Sequence, residues 1–547
     1  MTRRIPLFLA ATLLAAAAVI AAPPAAAQDM ELRSALSGVP LPPAYYERIR
    51  RDPGAFEFRH GFRNRLLARA ADGPSRAEAP TTGELTVVVV LAMFADSPEP
   101  PVTGAQVHEQ LFGANPRGNL TQYYHETSSG RIRVTGAVRP WVRSRVTRAE
   151  AAGNSYGFGG DANLTGFLRH ALQLADATTD FGQFDNDGPD RIPNSGDDDG
   201  TVDLLAVNFE GPDATCGVAS LWPYRAAFSD LLGSPYATND RTHGGGSPIL
   251  LNDYLVQSAM NCDGSPQNIA VMAHEMGHAF GLPDFYDASG GILPGQRHWV
   301  LGCWTLMAAG AWGCGPSTGP ILGQLPPQMG PWEKLHLGWG NPQVAEPGWR
   351  RQYVLRPVQG SGDLLRVPLR GNNEYLLLEY RPNTGFDAGL PGGGVLVFHV
   401  DTLRPLDVQC NGCKRIYHVG LVEADGDEGL LKTHAEGGNR GVAGDVWTGR
   451  RVLDALSTPA LTLNSGLAAN VALEIEVLGP EARITVSTLA TVAPASLLAP
   501  VLGSPGTGPT AEERLSLDHF GNRDGRYDLG DLRAYMRSRP LAVVPPS

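Results

Sequence analysis

The sequence predicts a mixed α/β domain, then a β-rich domain, then a small helical tail. Three observations carry that reading. Buried-strand patterns alternate with helical spacing in the first half of the chain. Short alternating segments broken by Gly, Pro and Asn follow Trp339. A stretch rich in Ala, Pro, Gly and Ser sets off the C-terminal end. With 547 residues, 42% of them hydrophobic, the chain has enough length for two to four domains with proper cores. A formal charge of −12 and no long basic run leave no field to hold a polyanion, which excludes nucleic acid as a partner.

Taken in order, residues 1–27 place Arg3 and Arg4 before an apolar run from Ile5 to Ala22, then Pro23, Pro24 and Ala25-Ala26-Ala27. This is the pattern of a signal peptide cleaved near Ala27, and it predicts a secreted or periplasmic protein with calcium and oxidised cysteines available to it. No later segment has the length to span a bilayer. Residues 28–80 are locally basic, with a short helical stretch from Tyr45 to Arg51, and read as a propeptide-like leader. The leader has no cysteine, so latency through a thiolate on a metal is excluded and any block must use another group or steric cover.

Residues 81–345 form the predicted catalytic domain. Leu85 to Phe94 is a continuous β-branched and apolar run, expected to be a strand buried on both faces. Leu164, Phe167, Leu168, Ala171, Leu172 and Ala175 follow helical spacing, and Asp203 to Phe209 is again a buried strand. Residues 346–490, with alternating segments at Tyr375–Tyr380 and Val395–Val400, form the β-rich domain; residues 491–510 the linker; and residues 511–547 the tail. The six cysteines allow three disulfides, of which the short-range pairs Cys303–Cys314 and Cys410–Cys413 are expected.

Ile269 to Asp284 reads IAVMAHEMGHAFGLPD, a helix containing H-E-x-x-H and stopped at Gly281. His274 and His278 lie one turn apart and face the same way, as ligands of one tetrahedral zinc must. Glu275 beside them is placed to take a proton from a metal-activated water as general base. Residue frequencies give on the order of 0.01–0.02 chance matches in a chain this long, so chance is not the favoured account. The third ligand follows from the extension to H-E-x-x-H-x-x-G-x-x-D: Gly281 permits a tight turn that returns Asp284 to the metal, with Asp287 as the fallback. A glutamate on a second helix has no candidate before Glu333. Met307, in Trp304-Thr305-Leu306-Met307-Ala308, stands at a distance suited to a Met-turn beneath the metal.

These residues resemble the immune inhibitor A group of secreted metallopeptidases. The resemblance extends to LTQYYHETSSGRIRVTG (Leu120 to Gly136), HEMGHAFGLPDFYD (His274 to Asp287), WTLMAAGAW (Trp304 to Trp312), WEKLHLGWG (Trp332 to Gly340) and GGGVLVFHVD (Gly392 to Asp401), spanning about Leu85 to Leu489. It implies a metzincin-like α/β (α+β) zinc protease domain with a mixed sheet and an active-site helix, made with a propeptide and often stabilised by calcium. It also implies zinc on His274, His278 and Asp284, Glu275 as base, Met307 in the Met-turn, and protein or peptide substrates. His399 and Asp401 are expected to be structural.

Two acidic stretches point to calcium. Asp185 to Asp203 holds seven Asp in nineteen residues punctuated by Gly, and Asp185, Asp187, Asp199 and Asp203 are the expected ligands if Pro189 to Asp198 loops out. In the tail, Asn522, Asp524, Gly525, Asp528 and Asp531 occupy the third, fifth, sixth, ninth and twelfth places of an EF-hand loop, like half of a dockerin, a module that docks to a partner. Phe520 stands at the first place and Asp531 rather than Glu at the twelfth, so calcium there is expected to be weak or absent. Glu423, Asp425 and Asp427 are read as a surface turn. Two other function classes stay open on sequence alone: a catalytically silent scaffold-binding protein that keeps the fold, and a zinc hydrolase of a non-peptide bond.

Overall fold

The computed structural model describes residues 39–52, 54–62, 81–287, 296–314, 325–371, 373–406, 415–492 and 508–538, with residues 30, 33, 34, 37, 496 and 497. The expected signal peptide, the Cys410–Cys413 pair and most of the linker lie outside the described residues. Among the described residues no helix is long and apolar enough to cross a membrane.

The first half is built on a mixed sheet of β1 (Gly83–Met93), β2 (Ile132–Val138), β3 (Leu204–Phe209), β4 (Tyr224–Ala227) and β5 (Asp253–Ser258). Their order is β2-β1-β3-β5-β4, with a short strand at Val142–Arg143 also against β1. Neighbours are parallel except β4, which runs antiparallel to β5 at the edge. The run Leu85 to Phe94 is buried on both faces because each face meets a different core. Leu85, Val87, Val89 and Leu91 point to one, together with Met272, Ala273 and Met276. Val88, Val90, Ala92 and Phe94 point to the other, with Phe167, Leu168, Ala171 and Leu172. The period of two along the strand is what divides them.

The second half is a sandwich. One sheet takes β6 (Asn341–Val344), β8 (Asp363–Pro368), β9 (Glu374–Arg381), β10 (Gly394–Asp401) and β11 (Val419–Leu421), in the order β11-β10-β9-β8-β6. The other takes β7 (Arg351–Leu355), β12 (Arg450–Leu453), β13 (Val471–Val477) and β14 (Ala482–Thr488), in the order β7-β14-β13-β12. Leu376, Leu378, Val395 and Val397 meet Leu473, Ile475, Ile484 and Val486 between the sheets. The alternate residues Leu377, Leu396, Phe398 and Val400 face back into the core that holds Met272 and Met276. His399 and Asp401 lie on β10, as expected of structural positions.

Helices complete the frame: α1 (Pro43–Arg51) in the leader, α2 (Leu120–Thr127), α3 (Leu164–Asp176), α4 (Ala270–Ala279), α5 (Pro331–His336), and α6 (Ala511–Phe520) with α7 (Leu529–Ser538) in the tail. The leader is part of the folded body. Tyr45 stacks on Phe56 with ring centroids 5.5 Å apart, and Phe56 meets Phe158 and Tyr224 edge-on. Disulfides join Cys303 to Cys314, the pair expected from spacing, and Cys216 to Cys262.

Candidate active site

Helix α4 carries the H-E-x-x-H residues and is anchored by apolar side chains, with Ile269, Met272, Met276 and Phe280 all buried. Its start is held by the Ala270 amide donating to Asn268 Oδ1 at 3.0 Å, and Tyr124 Oη donates to the Ala273 carbonyl at 2.6 Å. Gly281, at φ +82°, ends the helix in the left-handed region that favours glycine, and the chain turns back. That turn brings Asp284 to His274 and His278, with its Oδ1 3.2 Å from His274 Nε2 and 3.6 Å from His278 Nε2. One ligand atom from each of the three lies within 4.8 Å of the others.

The other side of each imidazole fixes its chemistry. His274 Nδ1 donates to the Leu306 carbonyl and His278 Nδ1 to the Leu282 carbonyl, each at 2.8 Å. A carbonyl only accepts, so the proton of each neutral ring sits on Nδ1 and Nε2 keeps its lone pair. Two such nitrogens and a buried carboxylate converging on one point repel one another until a cation joins them. The donor set of two imidazoles and one carboxylate, with a backbone carbonyl holding the far side of each ring, suits zinc. Met307 is fully buried: its carbonyl accepts from the Phe285 amide at 2.8 Å, and its side chain packs on Gly277, which lies between the two histidines on α4. Asp287, the fallback ligand, is engaged elsewhere, accepting from Tyr417 Oη at 2.7 Å.

Glu275 projects between two arginines. Arg225 Nη1, from edge strand β4, donates to its Oε2 at 2.7 Å, and Arg33 Nη2, from the leader, donates to its Oε1. All three side chains are buried. No local spacing signals either arginine, since the contacts span 50 and 242 residues.

Of the acidic loop, Asp185, Asp187 and Asp203 come together with carboxylate oxygens within 4.8 Å and all are buried. Asp199 stands outside that triplet, exposed, with its Oδ1 accepting from the Thr201 amide. Burial, and then the charges of Asp199, Asp198 and Asp187, pushes the Asp185 carboxyl up to about 7. In the tail, Asp524, Asp528 and Asp531 do not bring three carboxylates together among the described residues. Asp531 is instead used internally, accepting from the amides of Asn522 and Asp528; Asn522 Oδ1 accepts from the Asp524 amide. The turn from Glu423 to Asp427 is exposed at Asp425 and Asp427, as its reading as a surface turn expects, and only Glu423 corrects that reading. Glu423 is 4% exposed, and with Asp425 and the distant Asp445 it forms a third carboxylate group. Burial and the charge of Asp445 push Glu423 up to about 9, while burial pushes Asp445 up to about 6.

Residues 108–341 match the model of the immune inhibitor A peptidase M6 catalytic domain. The chain is similar to the pre-pro-metalloprotease PrtV of Vibrio cholerae serotype O1, at 28% identity over 232 residues, covering 40% of this chain and 23% of that protein. It is also similar to Immune inhibitor A of Bacillus thuringiensis subsp. alesti, at 28% identity over 225 residues, covering 39% of this chain and 31% of that protein. The matched part thus spans less than a third of either relative.

Proposed function

We propose, from the premise that this chain carries a peptidase M6 catalytic domain of the immune inhibitor A family, that it is an exported zinc-dependent endopeptidase with Glu275 as general base. The observation that carries the reading is the meeting of His274, His278 and Asp284 around one point, with Glu275 on the same helix. Zinc bound there supplies a Lewis acid for the scissile carbonyl and lowers the pKa of water toward neutrality. His274, His278 and Asp284 would hold it, the Leu306 and Leu282 carbonyls orient the rings, and Met307 in the Met-turn supports the helix from below. Glu275 then accepts the proton of the attacking water and returns it to the departing amine, once its Oε1 is accessible. This is a metzincin-type arrangement. The domain limits proposed are 81–345 for the peptidase, 346–490 for the β-rich domain and 511–547 for the tail.

Calcium is proposed at Asp185, Asp187 and Asp203, three buried carboxylates brought together, where a divalent cation would offset the burial and the neighbouring negative charges that raise the Asp185 carboxyl. Export is supported by the N-terminal signal-peptide pattern and by two disulfides, which persist in oxidising compartments.

The test is hydrolysis of casein by the purified, processed protein beside its Glu275→Ala variant, with metal content measured on both. The variant is expected to lose activity by about 10²- to 10⁴-fold, the range of general-base catalysis, while retaining zinc. Absence of hydrolysis by both proteins, with zinc bound, would transfer the weight to a scaffold role or a non-peptide substrate.

A further inference from the structure

We infer that the leader keeps the proposed peptidase latent by placing Arg33 on the general base. The inference rests on the reading of Glu275 above and extends it to regulation. Both oxygens of Glu275 are engaged by guanidinium N–H groups, Oε2 by Arg225 and Oε1 by Arg33, and the three side chains are 4–7% exposed. Charge-assisted pairs of this kind are the strong ones among hydrogen bonds, more so in a buried site. A water molecule or substrate cannot reach Oε1 while Arg33 stands there, and Glu275 cannot take a proton without giving up a buried ion pair.

The two arginines differ in origin, and that gives the device its switch. Arg225 lies on edge strand β4 of the sheet, buried at 4%, and stays when the leader goes. It is a positioning residue that holds the Glu275 carboxylate in one orientation. Arg33 belongs to the leader, and its release takes the second cation away and opens Oε1.

The leader is held at points well outside the site, so Arg33 is delivered by an anchored segment. The amides of Arg59, His60 and Gly61 donate to the Asp253 carboxylate at 2.9, 3.1 and 2.7 Å. Phe62 meets Phe280, just past the end of α4, at 5.7 Å between ring centroids. Tyr45 and Phe56 pack into the core beside Tyr224, the neighbour of Arg225 on β4. Met30, three residues before Arg33, is buried in that same core. Because the clamp acts on Glu275 and not on His274, His278 or Asp284, it implies a latent form that still loads zinc. This is a different device from a leader residue that ligates the metal.

The experiment uses the full chain with its leader intact, as checked on a gel. Casein hydrolysis and zinc content are measured for the unaltered chain, Arg33→Ala and Arg33→Lys, beside the leader-free protein. Arg33→Ala is expected to gain at least tenfold in hydrolysis at equal zinc content, and Arg33→Lys, which keeps the cation, to retain most of the latency. In parallel, Tm is read on metal-stripped protein for Arg33→Ala, Glu275→Ala and the double variant. The two losses are expected to be non-additive, because Arg33→Ala takes one of the two buried cations from Glu275 and Glu275→Ala takes from Arg33 its buried carboxylate. An Arg33→Ala chain as silent as the unaltered one, beside an active leader-free protein, overturns the inference, and so do additive Tm losses. If the leader-free, zinc-loaded protein is also silent, the peptidase reading falls and latency with it, while non-additive Tm losses would still register the contact.

Discussion

Gly277 has no room for a side chain. A Cβ at this position would overlap Met307 Sδ and approach Met307 Cε to 3.0 Å, and Met307 is fully buried. The pair therefore sets how closely the Met307 segment approaches the helix between His274 and His278. Gly277→Ala is expected to cost about 1–3 kcal/mol by overpacking. Met307→Ala alone leaves a cavity and costs about 2–5 kcal/mol. The double variant should lose measurably less than the sum in denaturant unfolding, since the added methyl fills part of the space vacated; strict additivity would show that the two do not share a contact. This is also the scale at which the sequence was most legible. His274 and His278 are one helical turn apart, and Asp284 is three residues past a glycine that ends the helix, so local spacing alone brings the three together. Arg33 and Arg225 could not be found that way: their partner lies 242 and 50 residues off in the chain, and their contacts arise only once β4 and the leader are packed beside α4.

At the scale of elements, alternation read strands correctly but not what covers them. Tyr375 to Tyr380 was legible as a strand from its pattern, yet both of its faces are buried, Leu376 and Leu378 inside the sandwich and Leu377 against the core of α4. The loop after β11 was read only in part, for a related reason: Asp425 and Asp427 are exposed as a surface turn requires, and Glu423 is not. Glu423, Asp425 and Asp427 look like a solvated turn in isolation, but Asp445 and Trp304 come from other parts of the chain, and Trp304 Nε1 donates to Asp445 Oδ2 at 2.6 Å. The Glu423 carboxylate accepts from the amides of Gly429 and Leu430 and is closed off from water. Its pKa, raised by burial and by Asp445 to about 9 from an ordinary value near 4.5, means that the folded chain binds this proton more tightly than the unfolded chain. The stability it contributes is fully present below about pH 4.5 and is lost as pH rises toward 9. Glu423→Gln removes that titration, so its Tm should fall less than that of the unaltered protein between pH 5 and 9 in chelator-treated samples. Parallel curves for the two would show that Glu423 is not the group responsible.

For the whole molecule, the junction between the two halves is a chain of buried charges that no local pattern announces. Lys334 on α5 donates to Glu379 Oε2 on β9 at 3.0 Å. On the same strand Arg381 reaches Glu379, both oxygens of Asp387 and the Trp304 carbonyl, three residues before Met307. Glu333, beside Lys334, accepts from Thr305 Oγ1. All these charged side chains are at most 1% exposed. The stretch WEKLHLGWG, with Trp304 and Thr305 of WTLMAAGAW, thus supplies residues that fasten the segment around Met307 to the second half. Burial lowers the Lys334 ammonium from its ordinary value, and Glu379 opposes this, so the cation depends on its partner. Removing it as Lys334→Met leaves Glu379 short of one of its two buried cations and is expected to cost about 3–5 kcal/mol. The double change Lys334→Met with Glu379→Leu removes the stranded charge as well and leaves Arg381 its pair with Asp387. It should recover most of that loss in denaturant unfolding, because an apolar pair avoids the desolvation that a buried ion pair must overcome. A double variant no more stable than Lys334→Met would instead mean that Glu379 is needed in its own right to hold Arg381 against the Trp304 carbonyl.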